Sequence, residues 1–340
     1  IIDCEGSSSS DHRAFNFING ETNASRVSGF TIRNGYAGPY MWPSHGGAIL
    51  CEDSSPIIEY CIFENNHAYF SGGAIEANGG HVTIRFCSFT DNNVDFLGGA
   101  VYVHTAGTIE NCWFDDNVAL GTSGLSGSGG AIYASFDSVD INIDYCTFTR
   151  NSAESGGAIG ASSGYTKITR CQFTDNTAHL GGAIRVGDEY MVIGGTETMG
   201  NTFIGNRAAC GSELFIHHGT TIVDAQYNDF EGFADSEYWF YKAARFNFTG
   251  STFALTPIEQ DVYVAPDGDD TNDGLSWDSP FQTIHHAIGQ INATPETIIN
   301  VHLAPGTYSP STTGELFPVP AQNWIILQGS GRDETILDVE

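Results

Sequence analysis

Short runs of alternating apolar and polar residues recur along the first two-thirds of the chain. In residues 72–92, two such runs are separated by turn residues, and no helical spacing of apolar residues lies between them. Each period contains Gly-Gly-Ala-Ile/Val followed by Phe-x-x-Asn. The glycine pairs recur every 25 to 31 residues and begin at Gly46, Gly72, Gly98, Gly129, Gly156 and Gly181. A repeat of this length built from short strands predicts an all-β solenoid, a parallel β-helix of about 25 residues per coil.

Residues at the same point of successive repeats should form ladders, because strands of neighbouring coils lie about 4.8 Å apart. The repeat phenylalanines should form an inward aromatic stack: Phe63, Phe89, Phe114, Phe148, Phe173 and Phe203. The repeat asparagines should form a ladder at a turn, where side-chain amides satisfy unpaired backbone groups: Asn66, Asn92, Asn117, Asn151, Asn176 and Asn206. Both sets are therefore predicted to be structural.

Five of the eight cysteines stand two residues before a repeat phenylalanine: Cys61, Cys87, Cys112, Cys146 and Cys171. At the sixth repeat, Asn201 takes this place. The shared phase predicts an inward cysteine ladder. Thiols are expected, because the strand spacing exceeds the roughly 3.8 Å that separates the Cβ atoms of a disulfide. Cys4, Cys51 and Cys210 lie outside this ladder and receive no role.

The charge balance of the chain excludes some partners. Among 340 residues, 12 Lys and Arg stand against 41 Asp and Glu, a formal net charge of −29. Nothing in this composition could neutralise nucleic-acid phosphates or favour an anionic membrane surface. No apolar run approaches the roughly 20 residues of a membrane-spanning helix. We therefore expect no nucleic-acid partner and no membrane insertion, and a soluble exterior with divalent cations as counter-ions.

The last 80 or so residues, 261–340, follow a different pattern. A strand signal begins at Asp261, and a short capping helix is predicted near 280–291, with Ser279 as its N-cap and Pro280 at its first position. Between them lies a loop with five hard oxygen ligands, at Asp267, Asp269, Asp270, Asn272 and Asp273. Such a loop is typical of a Ca²⁺ site, although it lacks the bidentate Glu of an EF-hand. A solvated acidic turn is the alternative.

The Gly-Gly-Ala-Ile/Val and Phe-x-x-Asn motifs resemble the right-handed parallel β-helix repeats of secreted and surface bacterial proteins, including the polymorphic outer-membrane protein repeat. The resemblance covers about residues 30–206 and rests on two motifs that recur together six times. It implies a right-handed β-helix and an extracellular or cell-surface location. It does not imply a reaction.

Residues 261–340 resemble the N-terminal module that opens many secreted β-helix proteins and some β-helix polysaccharide lyases. In that family the module leads into a coil of the type Ile-Ile-Asp-Cys/Gly-Glu-Gly, and this chain begins with Ile1-Ile-Asp-Cys-Glu-Gly. The order is thus cyclically shifted. The resulting organisation is a β-helix body at 1–230, an aromatic-rich connector at 231–260 and the capping module at 261–340.

Three arrangements explain the shift. The chain is a unit of a polymer, a segment of a longer tandem-repeat protein, or a permuted monomer. In the first, the module docks on the first coil of another copy, with Ile336 and Leu337 beside Ile1 and Ile2, and contacts that do not close produce a filament. We expect a non-enzymatic extracellular structural protein that binds other copies of itself. The rival classes are a polysaccharide-active enzyme and a cell-surface adhesin, and polysaccharide is the alternative partner.

The enzyme class has weak candidate residues. Asp91 and Asp116 should lie on adjacent coils, at a distance that paired carboxylates could use for glycoside hydrolysis or for Ca²⁺. Arg150 interrupts that row at the next coil. The two lysines, Lys167 and Lys242, lie outside the acidic clusters, so neither provides the base that β-helix lyases generally need. We therefore name no catalytic residue. Three sequons, at Asn23, Asn247 and Asn292, leave glycosylation open.

Overall fold

The structure, a computed structural model, describes residues 1–39, 44–122, 126–135, 140–162, 165–187, 191–216, 223–232, 240–241, 246–319 and 322–339. The chain divides into two compact units. The first unit, which holds the body, comprises Ile1–Glu231 and Tyr241–Thr252, and the second unit, which holds the module 261–340, comprises Gly232–Phe240 and Phe253–Glu340. The connector expected at 231–260 is thus shared between them, and its residues 233–239 and 242–245 lie outside the described part.

Four parallel sheets run along the body, and within the described residues each complete coil contributes one strand to each sheet. Sheet I contains Ile2–Asp3, Thr31–Arg33, Ile62–Glu64, Ser88–Thr90, Trp113–Asp115, Thr147–Thr149, Gln172–Thr174, Thr202–Ile204, Asp229–Phe230 and Thr252–Phe253. Sheet II contains Tyr36–Ala37, His67–Ala68, Asn93–Val94, Val118–Ala119, Ser152–Ser155, Thr177–Leu180 and Arg207–Cys210.

Sheets III and IV complete each coil. Sheet III contains Phe15–Phe17, Ile49–Glu52, Ile75–Asn78, Val101–Val103, Ile132–Ala134, Ile159–Ala161, Ile184–Val186, Leu214–Ile216 and Phe240–Tyr241. Sheet IV contains Arg26–Ser28, Ile57–Glu59, His81–Arg85, Ala106–Glu110, Asp140–Asp144, Tyr165–Thr169, Met191–Ile193, Val223–Asp224 and Phe246–Asn247. The fold is the parallel β-solenoid expected, with about 26 residues per turn. A coil has four strands, however, where each period of the sequence showed two alternating runs.

The repeat phenylalanines occupy the interior behind sheet I. All six are at most 1% exposed, and Phe89 is in register with Phe63 and Phe114 on its two neighbouring strands. Consecutive rings are stacked with centroids 4.7 to 4.9 Å apart. The stack continues to Phe230, which has no Phe-x-x-Asn signature. In-register parallel pairing therefore places the same side chain at the same depth in every coil.

The repeat asparagines form a buried hydrogen-bonded ladder at the corner between sheets I and II. Asn92 is typical: its backbone N–H and its Nδ2 both donate to Oδ1 of Asn117, at 3.1 and 3.0 Å. Its Nδ2 also donates to the Phe63 carbonyl at 3.0 Å, and its Oδ1 accepts from Asn66. The corner has no strand pairing, so these amides satisfy backbone groups that burial would otherwise leave unpaired.

Backbone conformation at the corners explains two features of the repeat. The residue before each ladder asparagine is left-handed, with a φ of 54° at Asp91 and Asp116 and 51° at Arg150. The glycine pair makes the corner before sheet III. Gly98 has a φ of 69°, and a Cβ on Gly99 would lie 1.9 Å from the Gly130 carbonyl oxygen of the next coil. One glycine is thus required for its φ and the other for close approach.

The five predicted ladder cysteines are buried thiols at the corner between sheets IV and I. Their sulfurs donate to backbone carbonyls, as Cys171 Sγ does to the Ile143 oxygen at 3.8 Å. Burial raises the pKa of Cys112 and Cys171. At the next coil Asn201 takes over, and its Nδ2 donates to the Ile168 oxygen at 3.1 Å. Thiol and amide therefore serve the same corner.

The module contains a three-stranded parallel sheet of Val262–Val264, Ile299–Leu303 and Ile325–Gly329 and a two-stranded sheet of Gly306–Tyr308 and Thr335–Leu337. Its helix is Ile284–Gln290, shorter than the 280–291 expected. The prediction of Ser279 as N-cap is wrong. Its hydroxyl donates to Asp273, and Phe281, two residues later, forms a β-bridge with Val264 and so is not helical. Thr283 caps the helix instead, accepting from the His286 N–H.

The phenylalanine stack gives the first prediction. Phe114→Ala should reduce the free energy of unfolding by about 3–5 kcal/mol, because rings above and below prevent the site from collapsing. Ile62→Ala is the matched control, since Ile62 lies on the outer face of the same sheet and is 45% exposed. Urea unfolding followed by circular dichroism measures both. Equal losses in the two variants would contradict the role given to the stack.

Candidate functional sites

The acidic loop at 267–274 is folded around its own carboxylates. Asp270 accepts from the backbone N–H groups of Gln282 and Thr283, both at 2.9 Å, and from the Thr283 hydroxyl. Asp269 accepts from the hydroxyl and the N–H of Thr271, which lower the pKa of Asp269. Both acids are thus used to fix the loop and the start of the helix.

Two of the three remaining residues of the predicted calcium site, Asp273 and Asn272, also form hydrogen bonds that hold the loop. Asp273 accepts from the Leu275 N–H and the Ser279 hydroxyl, and these bonds lower its pKa. Asn272 donates to the Pro280 carbonyl at 2.7 Å, while Asp267 is exposed. In the part of the chain that the structure describes, no group of three His, Cys, Asp or Glu residues is arranged to hold a metal ion. Calcium binding therefore stays a prediction for this loop.

Paired carboxylates do occur on neighbouring coils, but an arginine joins them. Arg150 Nη2 donates to Oδ2 of Asp115 at 2.6 Å and to Oδ2 of Asp116 at 2.9 Å. The guanidinium thus satisfies two acids of the coil before it. Asp91, the partner expected for Asp116, is exposed and left-handed at the corner. Arg150 therefore forms ion pairs with these carboxylates. The described geometry gives no residue here the role of a catalytic acid or base.

Glu213 is a buried ionisable residue that the repeat analysis missed. It replaces the alanine of the Gly-Gly-Ala tetrad at the seventh repeat, is fully buried, and accepts from Asn206 Nδ2 at 2.9 Å. Asn206 is the last asparagine of the ladder, so Glu213 supplies the acceptor that another asparagine would provide. Burial raises the pKa of Glu213 well above its usual range. The departure from alanine was the available signal.

A second buried carboxyl lies on the outer side of sheet III. Glu76 is 3% exposed, and burial raises its pKa to about 8. One of its oxygens, Oε2, has no hydrogen-bond partner among the described residues. Its neighbours in register are Leu50 and Tyr102, both buried. The sequence showed only a polar residue at an outward position, where exposure is the ordinary expectation.

The module presents inward-facing side chains that are incompletely covered. Leu337 is in register with Tyr308, which is fully buried, yet Leu337 is 46% exposed. On the other module sheet, Leu327 is in register with buried Val301 and is 42% exposed. The side chains that would form a ladder with a further coil are therefore accessible.

The body has a similar opening at its first coil. Ile2–Asp3 is the edge strand of sheet I and pairs with Thr31–Arg33. Ile2 is in register with Ile32, which is fully buried and is itself in register with Phe63 of the phenylalanine stack. Ile2, however, is partly exposed. Ile1 is 82% exposed. Both units thus expose apolar side chains at ladder positions.

Comparison with known families agrees with this architecture. Residues 16–211 match the family described as "Right handed beta helix region", which covers more than half of the chain. The chain belongs to the right-handed β-helix family. In this β-helix protein, residues 266–334 match a second family, described as "Protein of unknown function (DUF1565)". The searches of curated proteins and of solved structures gave no match. None of its described helices is both long and apolar enough to span a membrane.

The buried Glu213 gives a pH-dependent prediction. The pKa of the Glu213 carboxyl is raised in the folded state. As pH rises above about 4.5, the unfolded chain therefore loses the carboxyl proton while the folded chain keeps it, and the free energy of unfolding falls. Glu213→Gln keeps an acceptor for Asn206 without the charge. It should stabilise the protein by about 1–3 kcal/mol at pH 7, the scale of an unsatisfied buried polar group, and by less at pH 5.

Calorimetric melting at the two pH values measures this difference. The exposed Glu154→Gln is the control, and it should change the melting temperature little at either pH. A Glu213→Gln effect that is the same at both pH values, or that destabilises more at pH 7, would contradict the buried-proton account.

The acidic loop gives a metal-dependent prediction. If calcium binds there, added Ca²⁺ should raise the melting temperature and a chelator should lower it, since a ligand of the native state stabilises by RT ln(1 + [L]/Kd). Asp273→Asn should abolish the shift, while the exposed Asp278→Asn should preserve it. Identical melting curves with calcium and with chelator would leave the loop as an acidic turn.

Proposed function

We propose that this protein is an extracellular structural β-helix that assembles end to end with other copies of itself. The module, 261–340, docks on the first coil of another copy. The observation that carries the proposal is that Leu337, 46% exposed, and Ile2, partly exposed, stand at inward ladder positions next to buried residues of their own sheets. Burying them against each other continues two ladders as one.

Sequence similarity between the two strands supports this docking. Ile336-Leu-Asp-Val-Glu and Ile1-Ile-Asp-Cys-Glu share their apolar and acidic positions, so Leu337 aligns with Ile2 and Asp338 with Asp3. Parallel addition of Thr335–Leu337 to the edge of sheet I supplies main-chain hydrogen bonds, and the aligned side chains supply apolar burial. The joined copies are separate molecules or consecutive domains of one chain, and the contact is the same in both cases.

Composition and repeat type support the extracellular setting. A net charge of −29 favours a soluble exterior, and the repeats resemble those of bacterial surface proteins. A structural role is favoured over a polysaccharide-active enzyme because Arg150 bonds both carboxylates of the Asp115 and Asp116 pair, and the described geometry places no evident base beside them. An adhesin remains compatible with the same assembly.

Two adjacent residues test the docking. Leu337→Asp places a charge at the inward position, whereas Ile336→Asp places it at the neighbouring position, in register with the partly exposed Thr307; the wild-type side chains are 46% and 47% exposed. The full-length protein should form end-to-end oligomers or fibres as concentration rises. Leu337→Asp should remain monomeric, and Ile336→Asp should assemble. Light scattering after gel filtration, with negative-stain microscopy, measures all three.

Circular dichroism establishes that both variants keep their β-sheet signal. The proposal fails if the wild-type protein is a monodisperse monomer over a wide concentration range. It also fails if Leu337→Asp forms the same fibres as the wild type, because the inward ladder would then make no contribution to the contact.

A further inference from the structure

A row of thiols fills the corner between sheets IV and I on five consecutive coils. Its members are all at most 1% exposed: Cys61, Cys87, Cys112, Cys146 and Cys171. Each stands immediately before a strand of sheet I, and those strands are paired in register from Ile62–Glu64 to Gln172–Thr174. The thiols of this cysteine row therefore follow one another at the spacing of the strands, roughly 4.8 Å.

Neighbouring thiols interact directly along the row. The Cys87 thiol is hydrogen bonded to those of Cys61 and Cys112, and the Cys146 thiol is hydrogen bonded to those of Cys112 and Cys171. The row ends at Asn201, whose Oδ1 accepts from the Cys171 N–H at 2.8 Å. Every gap in the row is thus bordered by two sulfur atoms.

The backbone holds the thiol protons only weakly. Cys112 Sγ lies 3.3 Å from the Glu110 carbonyl oxygen and 3.8 Å from the Ile84 oxygen, and Cys146 Sγ has equivalent contacts at 3.3 and 3.6 Å. A thiol has one proton and is a weak donor, so it cannot satisfy two carbonyls and a second sulfur at once. Replacing that proton with a metal ion therefore sacrifices little hydrogen bonding.

The spacing that disfavours disulfides suits an ion held between two sulfurs. A disulfide needs Cβ atoms about 3.8 Å apart, less than the strand spacing. A zinc–sulfur bond is about 2.3 Å long, so an ion of similar size in linear coordination joins sulfurs about 4.6 Å apart. The described residues contain no group of three ligands, but linear coordination needs only two. Soft thiolates select Cu(I), which accepts this geometry, as Ag(I) does.

Charge balance favours a monovalent ion. When such an ion binds, the S–H bond of one thiol breaks, a sulfur–metal bond forms and the proton passes to the solvent. The charge of the row is then unchanged, so no uncompensated charge is buried. Five sulfurs in a row leave four gaps. Because a thiolate can bridge two ions, four ions can fill these gaps with the release of four protons, while one thiol stays protonated.

We propose that the cysteine row binds monovalent soft metal ions of the Cu(I) class, one in each gap between neighbouring sulfurs. The row lies inside the body, so this binding goes beyond the end-to-end contact and does not depend on it. Successive gaps share a sulfur, so the loss of one cysteine removes every gap that it borders.

Native mass spectrometry of the full-length protein, titrated with Ag⁺, tests the proposal, since silver(I) has the same coordination preference and does not change its oxidation state here. Cys112→Ser removes the two central gaps and should lower the number of bound ions by two. Cys171→Ser removes one end gap and should lower the number by one. The protons released during the titration, measured at constant pH, should fall by the same numbers.

Cys51→Ser is the matched control, because Cys51 is a buried thiol whose neighbours in register are Phe17 and Ala77. It should bind as many ions as the wild type does, and Zn²⁺, which prefers four ligands, should not occupy the row. Circular dichroism should show the same β-sheet signal with and without Ag⁺.

Unequal losses distinguish a continuous row from separate thiols. The proposal is overturned if Cys112→Ser and Cys171→Ser lose the same number of ions, or if Cys51→Ser loses as many as Cys112→Ser. It is also overturned if Zn²⁺ binds in the same number as Ag⁺, or if silver binds only with loss of the β-sheet signal.

Discussion

Register between coils is the constraint on which the rest of this protein depends, and the asparagine ladder fixes it most strictly. Each asparagine bonds to the coil on either side through one side-chain amide, so a coil shifted by a single residue would leave several buried groups unpaired. The same register stacks the phenylalanines and the cysteines. Elementary hydrogen bonding at one corner therefore determines which residues share a row on every face, including the outer face of sheet I.

A ladder of this kind has to end, and the two observed endings use different chemistry. Asn206 donates to Glu213, a buried carboxyl with a raised pKa, within the same unit. At the corner between sheets IV and I, cysteines give way to Asn201 and Asn228. The Ser251 hydroxyl then accepts from the Asn228 N–H and donates to the Ala225 carbonyl, so the row ends in a serine. At Leu337, by contrast, the side chain is 46% exposed, and Ile2 is partly exposed. Some ladders thus end in a buried hydrogen-bond partner, whereas those at Leu337 and Ile2 end in side chains that solvent can reach. This difference supports assembly at the solvent-accessible ends.

Repetition made the interior predictable, because six copies of one motif reveal which positions face inward even when each copy is ambiguous. The ladders of Phe114, Asn117 and Cys112 follow directly. Strands as short as Asn93–Val94 could not be predicted, since two residues show no alternation. The helix boundary was wrong because Ser279 had a stronger partner in Asp273. Glu213 escaped because it is a single departure from the repeat, and its role as the acceptor for Asn206 follows only from its neighbours in space.

Hydrogen exchange at single-residue resolution tests the ladder most directly. The backbone N–H groups of Asn92, Asn117, Asn151 and Asn176 lie at corners outside the strands, so local secondary structure gives them no protection, and their acceptors are the Oδ1 atoms of the next coil. The account predicts that these four amides exchange as slowly as the strand amides of sheet I, through global unfolding. Exchange at the rate of unprotected, solvent-exposed amides would contradict it.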